Sequence, residues 1–392
     1  MTTRPALPNF TRRLQAGQPA KLVGFGDSIT GIYYHTGGLR AWPEILGDLL
    51  RATCPPADLT VVNAGISGNT AAQALARIER DVIAHRPDLV AVQLGMNDVV
   101  RTPAETFAEN LRAIVARLHA SGAEVLLMTP NAIDPSDQHW PANKVETYAE
   151  IVRALAAELR VPLADTHGAF ARQRQLGGPE WYRLLSDFIH PNFRGHALIA
   201  RTAAAVIAGH DFTGIEPPSP VPALPCLHQR LLAAEPKLRV TAMAPYDRVL
   251  VAALHMLRPG LQVEVTPWAA AGKSITDLAG ETDAWGWPKY QADPNLPPPD
   301  LMVIAPPANR TGLPEQAYYL AVSHLLNRTQ GFSHRTWETL VVLPSSGDPA
   351  GTIARDKDLP GLSESSFATP ESLSAALAKM LSPQTASNHA GR

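Results

Sequence analysis

The sequence predicts a three-layer α/β/α fold around a doubly wound parallel sheet, followed by a second, smaller α/β domain. Short, nearly continuously apolar runs alternate with longer amphipathic stretches through the first half, as strands covered on both faces require. A proline-rich break then precedes a second round of similar alternation. At 392 residues the chain is long for one domain, and 45% apolar content lets each half bury its own core.

In chain order, the strands are expected at 21–26, 59–65, 88–95, 124–130 and 162–165. Helices are expected near 40–52, 71–85, 105–121 and 144–160, with a closing helix near 194–209. Within 105–121, Phe107, Leu111, Ile114, Val115 and Leu118 recur at three- and four-residue steps, and Gly122 stops the run. In such a sheet, functional residues gather at the carboxyl ends of the strands.

Five prolines between Glu216 and Pro225 mark a stiff, donor-poor linker. The expected organisation is a catalytic domain over 1–211, a linker over 212–236, a second domain over 237–381 and a flexible tail over 382–392. The second half repeats part of the plan. Pro299-Asp300-Leu301-Met302-Val303-Ile304 and Glu338-Thr339-Leu340 echo Pro87-Asp88-Leu89-Val90-Ala91-Val92 and Glu124-Val125-Leu126.

The formal charge of −2, with no long basic run, argues against nucleic acid as a partner. Two distant cysteines, Cys54 and Cys226, supply neither a disulfide framework nor a cysteine metal site. The start has no apolar core of the secretory kind, and Ala197–Gly209 is too short to span a bilayer. The expectation is a cytoplasmic protein without a membrane span.

Three strand ends carry residues suited to chemistry. The first leads into Gly26-Asp27-Ser28, the second into Gly65-Ile66-Ser67-Gly68, the third into Gly95-Met96-Asn97-Asp98. Asp187-Phe188-Ile189-His190 follows much later, just before the closing helix. Ester hydrolysis needs a nucleophile, a base, a group that orients the base, and donors for the developing oxyanion. These segments contain all four.

With those blocks in that order, residues 20–210 resemble the SGNH (GDSL-like) hydrolases. The resemblance implies a flavodoxin-like fold with Ser28 as nucleophile, His190 as base and Asp187 as its orienting carboxylate. It also implies an oxyanion hole made of the Ser28 N–H, the Gly68 N–H and the Asn97 side-chain amide. That mechanism needs neither a metal nor an organic cofactor.

Plainer readings exist for each residue. Ser28 would suit a helix N-cap, and Asn97 could simply stabilise its turn. Asp98 reads as structural, capping the segment that follows, and His196 as a helix-facing or surface histidine. Gly24-Phe25-Gly26 is no dinucleotide fingerprint, since Ile29 stands where the third glycine belongs. Nor is there a Gly-x-Ser-x-Gly elbow, which disfavours the α/β-hydrolase fold.

The second half lacks the constellation. Aligned by strands, Gly272 falls opposite Gly68 and Asn309 opposite Asn97, but no nucleophile and no Asp-x-x-His accompany them. His324 and His334 read as ordinary helix-borne or neighbouring histidines. The expectation is a catalytically silent copy that packs, borders the substrate site or forms a homo-oligomer.

The function expected is therefore a serine ester hydrolase for a small ester, with acetyl or short acyl groups, including those on carbohydrate. Tyr33, Tyr34, His35, Trp42, Trp140 and Trp181 are candidates to stack on a sugar. The rival readings are a lysophospholipase or acyl thioesterase, and a non-catalytic glycan- or partner-binding protein.

Overall fold

A computed structural model describes residues 7–54, 57–218, 223–234, 236–308, 310, 312–344 and 349–382. The chain divides into two compact units, residues 1–218 and 219–392.

The first unit is built on a five-stranded parallel sheet, with β1 at Ala20–Gly26, β2 at Leu59–Gly65, β3 at Leu89–Gln93, β4 at Glu124–Met128 and β5 at Leu163–Ala164. Its order is β2-β1-β3-β4-β5. The chain therefore reverses direction across the sheet between β1 and β3, which opens a crevice at their carboxyl ends. Register makes those ends level, because Gly26 lies opposite both Gly65 and Gln93. Every residue of β3 is buried, as a central strand covered on both faces demands.

Helices cover the sheet because each turns an apolar stripe inward. Trp42–Thr53 buries Trp42, Ile45, Leu46, Leu49 and Leu50, and Ala104–Ala120 buries Phe107, Leu111, Ile114, Val115 and Leu118. Thr70 and Gln73 form a reciprocal cap on Ala71–Asp81. Asn192 caps the closing helix Phe193–Ala208 by accepting the Gly195 N–H at 3.1 Å. Helices also lie where the sequence pattern predicts none, at Pro8–Gln15, Asp98–Arg101 and Thr166–Leu176. The last of these starts because the Asp165 carboxylate accepts the Gly168 N–H at 3.0 Å.

The second unit has its own five-stranded parallel sheet. Its strands are β6 at Lys237–Met243, β7 at Gln262–Trp268, β8 at Leu301–Ile304, β9 at Glu338–Leu343 and β10 at Gly361–Ser363. The order β10-β9-β8-β6-β7, read from β7, is the same as in the first unit. Its core gathers Leu238, Val240, Leu254, Leu301, Leu340 and Leu377. The expected linker is not wholly extended. Pro225, at a first-turn position where its missing N–H costs nothing, opens a helix to Leu232, and Leu227 joins this core. Residues 219–222 and 235 of that segment, Asn309, and the tail beyond 382 lie outside the described residues. Among the described residues no helix is long and apolar enough to cross a membrane.

Candidate active site

The turn after β1 is tied by Asp27. Its carboxylate accepts the Ile29 N–H at 2.9 Å, and its carbonyl accepts the N–H groups of Thr30 and Gly31 at 3.2 and 3.0 Å. Ser28 thus sits on a tight turn rather than at a helix N-cap, and the next α-helix begins only at Trp42. Below it, Asn63 donates to the Thr30 carbonyl at 2.8 Å and accepts the Gly65 N–H at 3.0 Å, joining the ends of β1 and β2.

The loop 185–191 brings in the other two groups. Leu185 bridges Pro191, and the Ser186 N–H donates to the His190 carbonyl at 2.8 Å, which closes the loop on itself. Asp187 accepts the backbone N–H groups of Ile189 and His190 at 2.9 and 2.8 Å. Asn131 and Asp134, beyond β4, hold the loop from outside by donating to the carbonyls of Ile189 and Phe188.

This folding places Ser28 Oγ 3.0 Å from His190 Nε2, and His190 Nδ1 2.8 Å from Asp187 Oδ2. Residues 162 positions apart in sequence share one hydrogen-bond chain. A hydroxyl, an imidazole and a carboxylate in this sequence can move the hydroxyl proton to Nε2 while the carboxylate holds the Nδ1 proton.

Gly68 and Asn97 flank the same crevice. Gly68 has φ +76°, a left-handed conformation that a side chain would strain, and its carbonyl accepts from Arg101 at 2.8 Å. Gly95, at φ +123°, makes the turn that brings Asn97 back over the sheet end. Asn97 is buried, and its amide donates to Asp27 Oδ2 at 3.3 Å and to the Asn69 carbonyl at 3.2 Å.

A family model for the GDSL-like lipase/acylhydrolases matches residues 25–198, which contain all of these groups. An acetylxylan esterase of Geobacillus stearothermophilus is 32% identical over 213 residues, covering 48% of this chain and 94% of the relative. The chain belongs to the GDSL-like lipase/acylhydrolase family. An arylesterase of Vibrio mimicus is 30% identical over 191 residues, covering 48% of this chain and 89% of that protein. The Escherichia coli K12 protein named thioesterase 1/protease 1/lysophospholipase L1 is 35% identical over 185 residues, covering 46% and 79%. The protein is a carboxylic ester hydrolase of the SGNH/GDSL type.

Electrostatics in this GDSL-like site keep charges where they are needed. Burial would raise the Asp187 pKa, but the charge and ring hydrogen bond of His190, with two backbone N–H groups, hold it well below the usual carboxylate range. Burial would likewise lower the His190 pKa, yet the Asp187 charge and hydrogen bond, with Asp27 adding, raise it above the ordinary histidine value. Asp27 is fully enclosed, and burial pushes its carboxyl up to about 7 despite the Ile29 N–H and the His190 charge.

Several placements differ from the sequence-based expectation. Asp98 does not cap the segment after it. Its two oxygens accept the Ala71 N–H, each at 3.1 Å, so it caps the helix Ala71–Asp81 from a neighbouring strand end. His196 is fully buried, with Nδ1 accepting the Trp42 N–H at 3.1 Å, and burial drives its pKa down to about 3. Trp42, Trp181 and His35 are buried and offer no face to a sugar, whereas Tyr33, Tyr34 and Trp140 stay partly exposed.

One site residue escaped the sequence reading, and another has a contact it did not foresee. Arg77 donates to the carbonyls of Gly26 and Ala64, both at 2.9 Å, and to Asn69 Oδ1 at 2.7 Å. It therefore braces the ends of β1 and β2 and the Gly68 turn together. On sequence it is one arginine on a helix, and its position on the inward face beside Ala74 and Ile78 is the signal that was there to read. Tyr34, taken as a stacking candidate, also points its hydroxyl at Asp187 Oδ2 from 3.5 Å.

Proposed function

We propose that the protein hydrolyses small acyl esters through Ser28, His190 and Asp187, with an acetylated carbohydrate as the substrate class. The observation that carries this reading is the Ser28 Oγ to His190 Nε2 contact of 3.0 Å, continued to Asp187 at 2.8 Å. Ser28 attacks the acyl carbonyl as its proton passes to His190 Nε2, and Asp187 holds the resulting imidazolium. The C–O bond to the alcohol then breaks as His190 returns the proton to the leaving oxygen. Water, deprotonated by His190, splits the acyl-Ser28 ester and restores the serine.

The backbone N–H groups of Ser28 and Gly68, with Asn97 Nδ2, are the proposed oxyanion donors. The two bonds Asn97 makes, 3.3 and 3.2 Å, lie at the long end of the range. An oxyanion would replace one of them with a shorter, charge-assisted bond. Tyr33, Tyr34 and Trp140 provide partly exposed rings at this edge. The Trp140 indole is fixed by donating to the Met96 carbonyl at 3.0 Å, next to Asn97. The acetylxylan esterase relative supports a sugar-borne acetyl group.

A second reading, hydrolysis of longer acyl chains, has its own support. Ile66 and Phe188 are 38% and 43% exposed, on the loops that carry Gly68 and His190. The thioesterase and lysophospholipase relative points the same way. A series of p-nitrophenyl esters from acetate to dodecanoate, run beside acetate release from acetylated xylan, decides between them. Peak kcat/KM at two to four carbons with release from xylan is expected; a peak at eight or more carbons would establish the lipid reading instead.

For the second unit we propose a catalytically silent copy of the first. In support, the strand order is the same, and β6 runs into Ala244-Pro245-Tyr246 where the first unit has Asp27-Ser28. His324 and His334 are exposed.

A further inference from the structure

Three imidazoles lie in one pile beneath the ester site. The His35 ring stacks on His190 with centroids 4.5 Å apart and planes 14° off parallel. His196 also lies against His35, with centroids 5.7 Å apart and planes 10° off parallel. His35 is 1% exposed and His196 is fully buried, so neither reaches a substrate. Tyr34 stands edge-on to both His35 and His190, at 5.4 and 6.3 Å, and fixes the pile from the side.

We infer that His35 is a positioning residue for the ester hydrolysis, a neutral aromatic face that holds the His190 ring in the plane of Ser28 and Asp187 and supports its charged form. The inference rests on the assignment of His190 as the base. In-plane bonds to Ser28 and Asp187 fix two points of the His190 ring but leave it free to rock about the line joining them. A parallel ring removes that motion. When His190 takes the serine proton its charge spreads over the whole imidazolium, and a π-face below attracts it.

The pile works only if its lower members stay uncharged, since two charged rings in contact would repel. His196 meets that condition, because burial and the neighbouring His190 hold its pKa down to about 3 and its Nδ1 is engaged as an acceptor. Among the described residues, the titratable groups that face His190 are Asp187 on its own loop, Asp27 just after β1, Tyr34 and His35 on the segment that follows, and His196 on the closing helix. Asp187 carries its charge throughout, Asp27 gains one as pH rises through about 7, and each when charged favours the imidazolium form.

The test compares His35→Phe, which keeps a flat ring, with His35→Leu, which does not, using p-nitrophenyl acetate across pH. His35→Phe should keep kcat within about threefold of wild type. His35→Leu should lower kcat by about tenfold at unchanged KM, and move the acid limb of kcat/KM down by about half a pH unit as the imidazolium loses support. An unmoved or raised limb in His35→Leu, or equal damage from Phe and Leu, would overturn the inference. Should the variants melt early, imidazole NMR titration of folded Ser28→Ala protein decides: His190 must protonate while His35 and His196 stay neutral, and protonation of His35 first would refute the role. Failure of the base assignment is distinguishable, since His190→Ala would then retain full activity.

Discussion

Arg77 donates to the carbonyl of Gly26 at 2.9 Å, from a helix that follows the next strand. That bond, with its companion to Ala64, fastens the two strand ends from which Ser28 and Gly68 project. The guanidinium also lies over the Phe25 ring, 4.8 Å from its centroid. Removing it takes a charged donor from the Ala64 carbonyl and from that of Gly26, which then keeps the Ile66 N–H at 3.1 Å. Arg77→Met, similar in length, should destabilise the protein by about 3 kcal/mol in urea denaturation. Arg77→Lys, which cannot fork to three acceptors, should recover less than half of that.

Ser28→Ala should abolish p-nitrophenyl acetate hydrolysis to below about one-thousandth of wild-type kcat, while thermal melting stays unchanged. Asp187→Asn should cost about 10⁴-fold, because an amide no longer supports the imidazolium. A burst of p-nitrophenol equal to enzyme concentration, seen in wild type and lost in Ser28→Ala, would be the direct mark of an acyl-serine. Wild-type rates in Ser28→Ala would exclude that serine.

In its proposed role His190 accepts the serine proton in its neutral form, and its pKa stands above the ordinary histidine value. The acid limb of kcat/KM should therefore lie above about pH 6.5. The sign for stability is opposite. A raised histidine pKa stabilises the fold fully below the unfolded value, and that contribution fades as pH rises through the folded value. Activity should rise over the same interval in which this contribution is lost, measurable as parallel pH series of kcat/KM and urea midpoint.

Asp27 has the reverse linkage of an ordinary surface carboxylate. It ionises near 3.8 when unfolded but only at about 7 in the fold, so its burial lowers stability progressively between those values. Asp27→Asn should gain on wild type across that window, by on the order of 4 kcal/mol at its upper end, and remain level above it. The same variant should lose kcat, since with its oxygen kept on the Ile29 N–H the new amide nitrogen faces Asn97 where Oδ2 accepted. A stability difference that is flat from pH 4 to pH 8 would contradict the buried ionisation.

Asp98→Ala removes the acceptor for the Ala71 N–H and should cost about 1–2 kcal/mol. Because that helix start follows directly on Gly68 and Asn69, kcat should fall with little change in KM. Asp98→Asn, which keeps one acceptor oxygen, should restore most of both.

Much of this architecture was legible in the chain because parallel strands buried on both faces are written as unbroken apolar runs. β1 and β3 are of that kind, and their level ends follow from register. The four site blocks were legible because each stands where a strand stops or the closing helix begins. What stayed hidden depends on groups meeting across the fold. Arg77 looks like any helix-borne charge until Gly26 and Ala64 present their carbonyls to it. His35 sits among aromatics that resemble a sugar platform, and only the arrival of His190 and His196 turns it inward. Thr166–Leu176 carries polar residues on most faces, so no apolar stripe announces it. β10 is three residues long, too short for any period to show.

The loop 185–191 supplies two of the three groups of the proposed triad, with His190 lying 162 residues beyond Ser28. During synthesis the sheet ends and their glycine turns leave the ribosome long before that loop does. A growing chain thus carries the serine before the loop that would bring its proposed base. Closing a contact of such sequence separation is also costly in chain entropy and slow when a denatured chain refolds. Recovery of esterase activity should therefore trail the return of helical signal, and hydrolytic competence becomes a certificate that the first unit has finished folding.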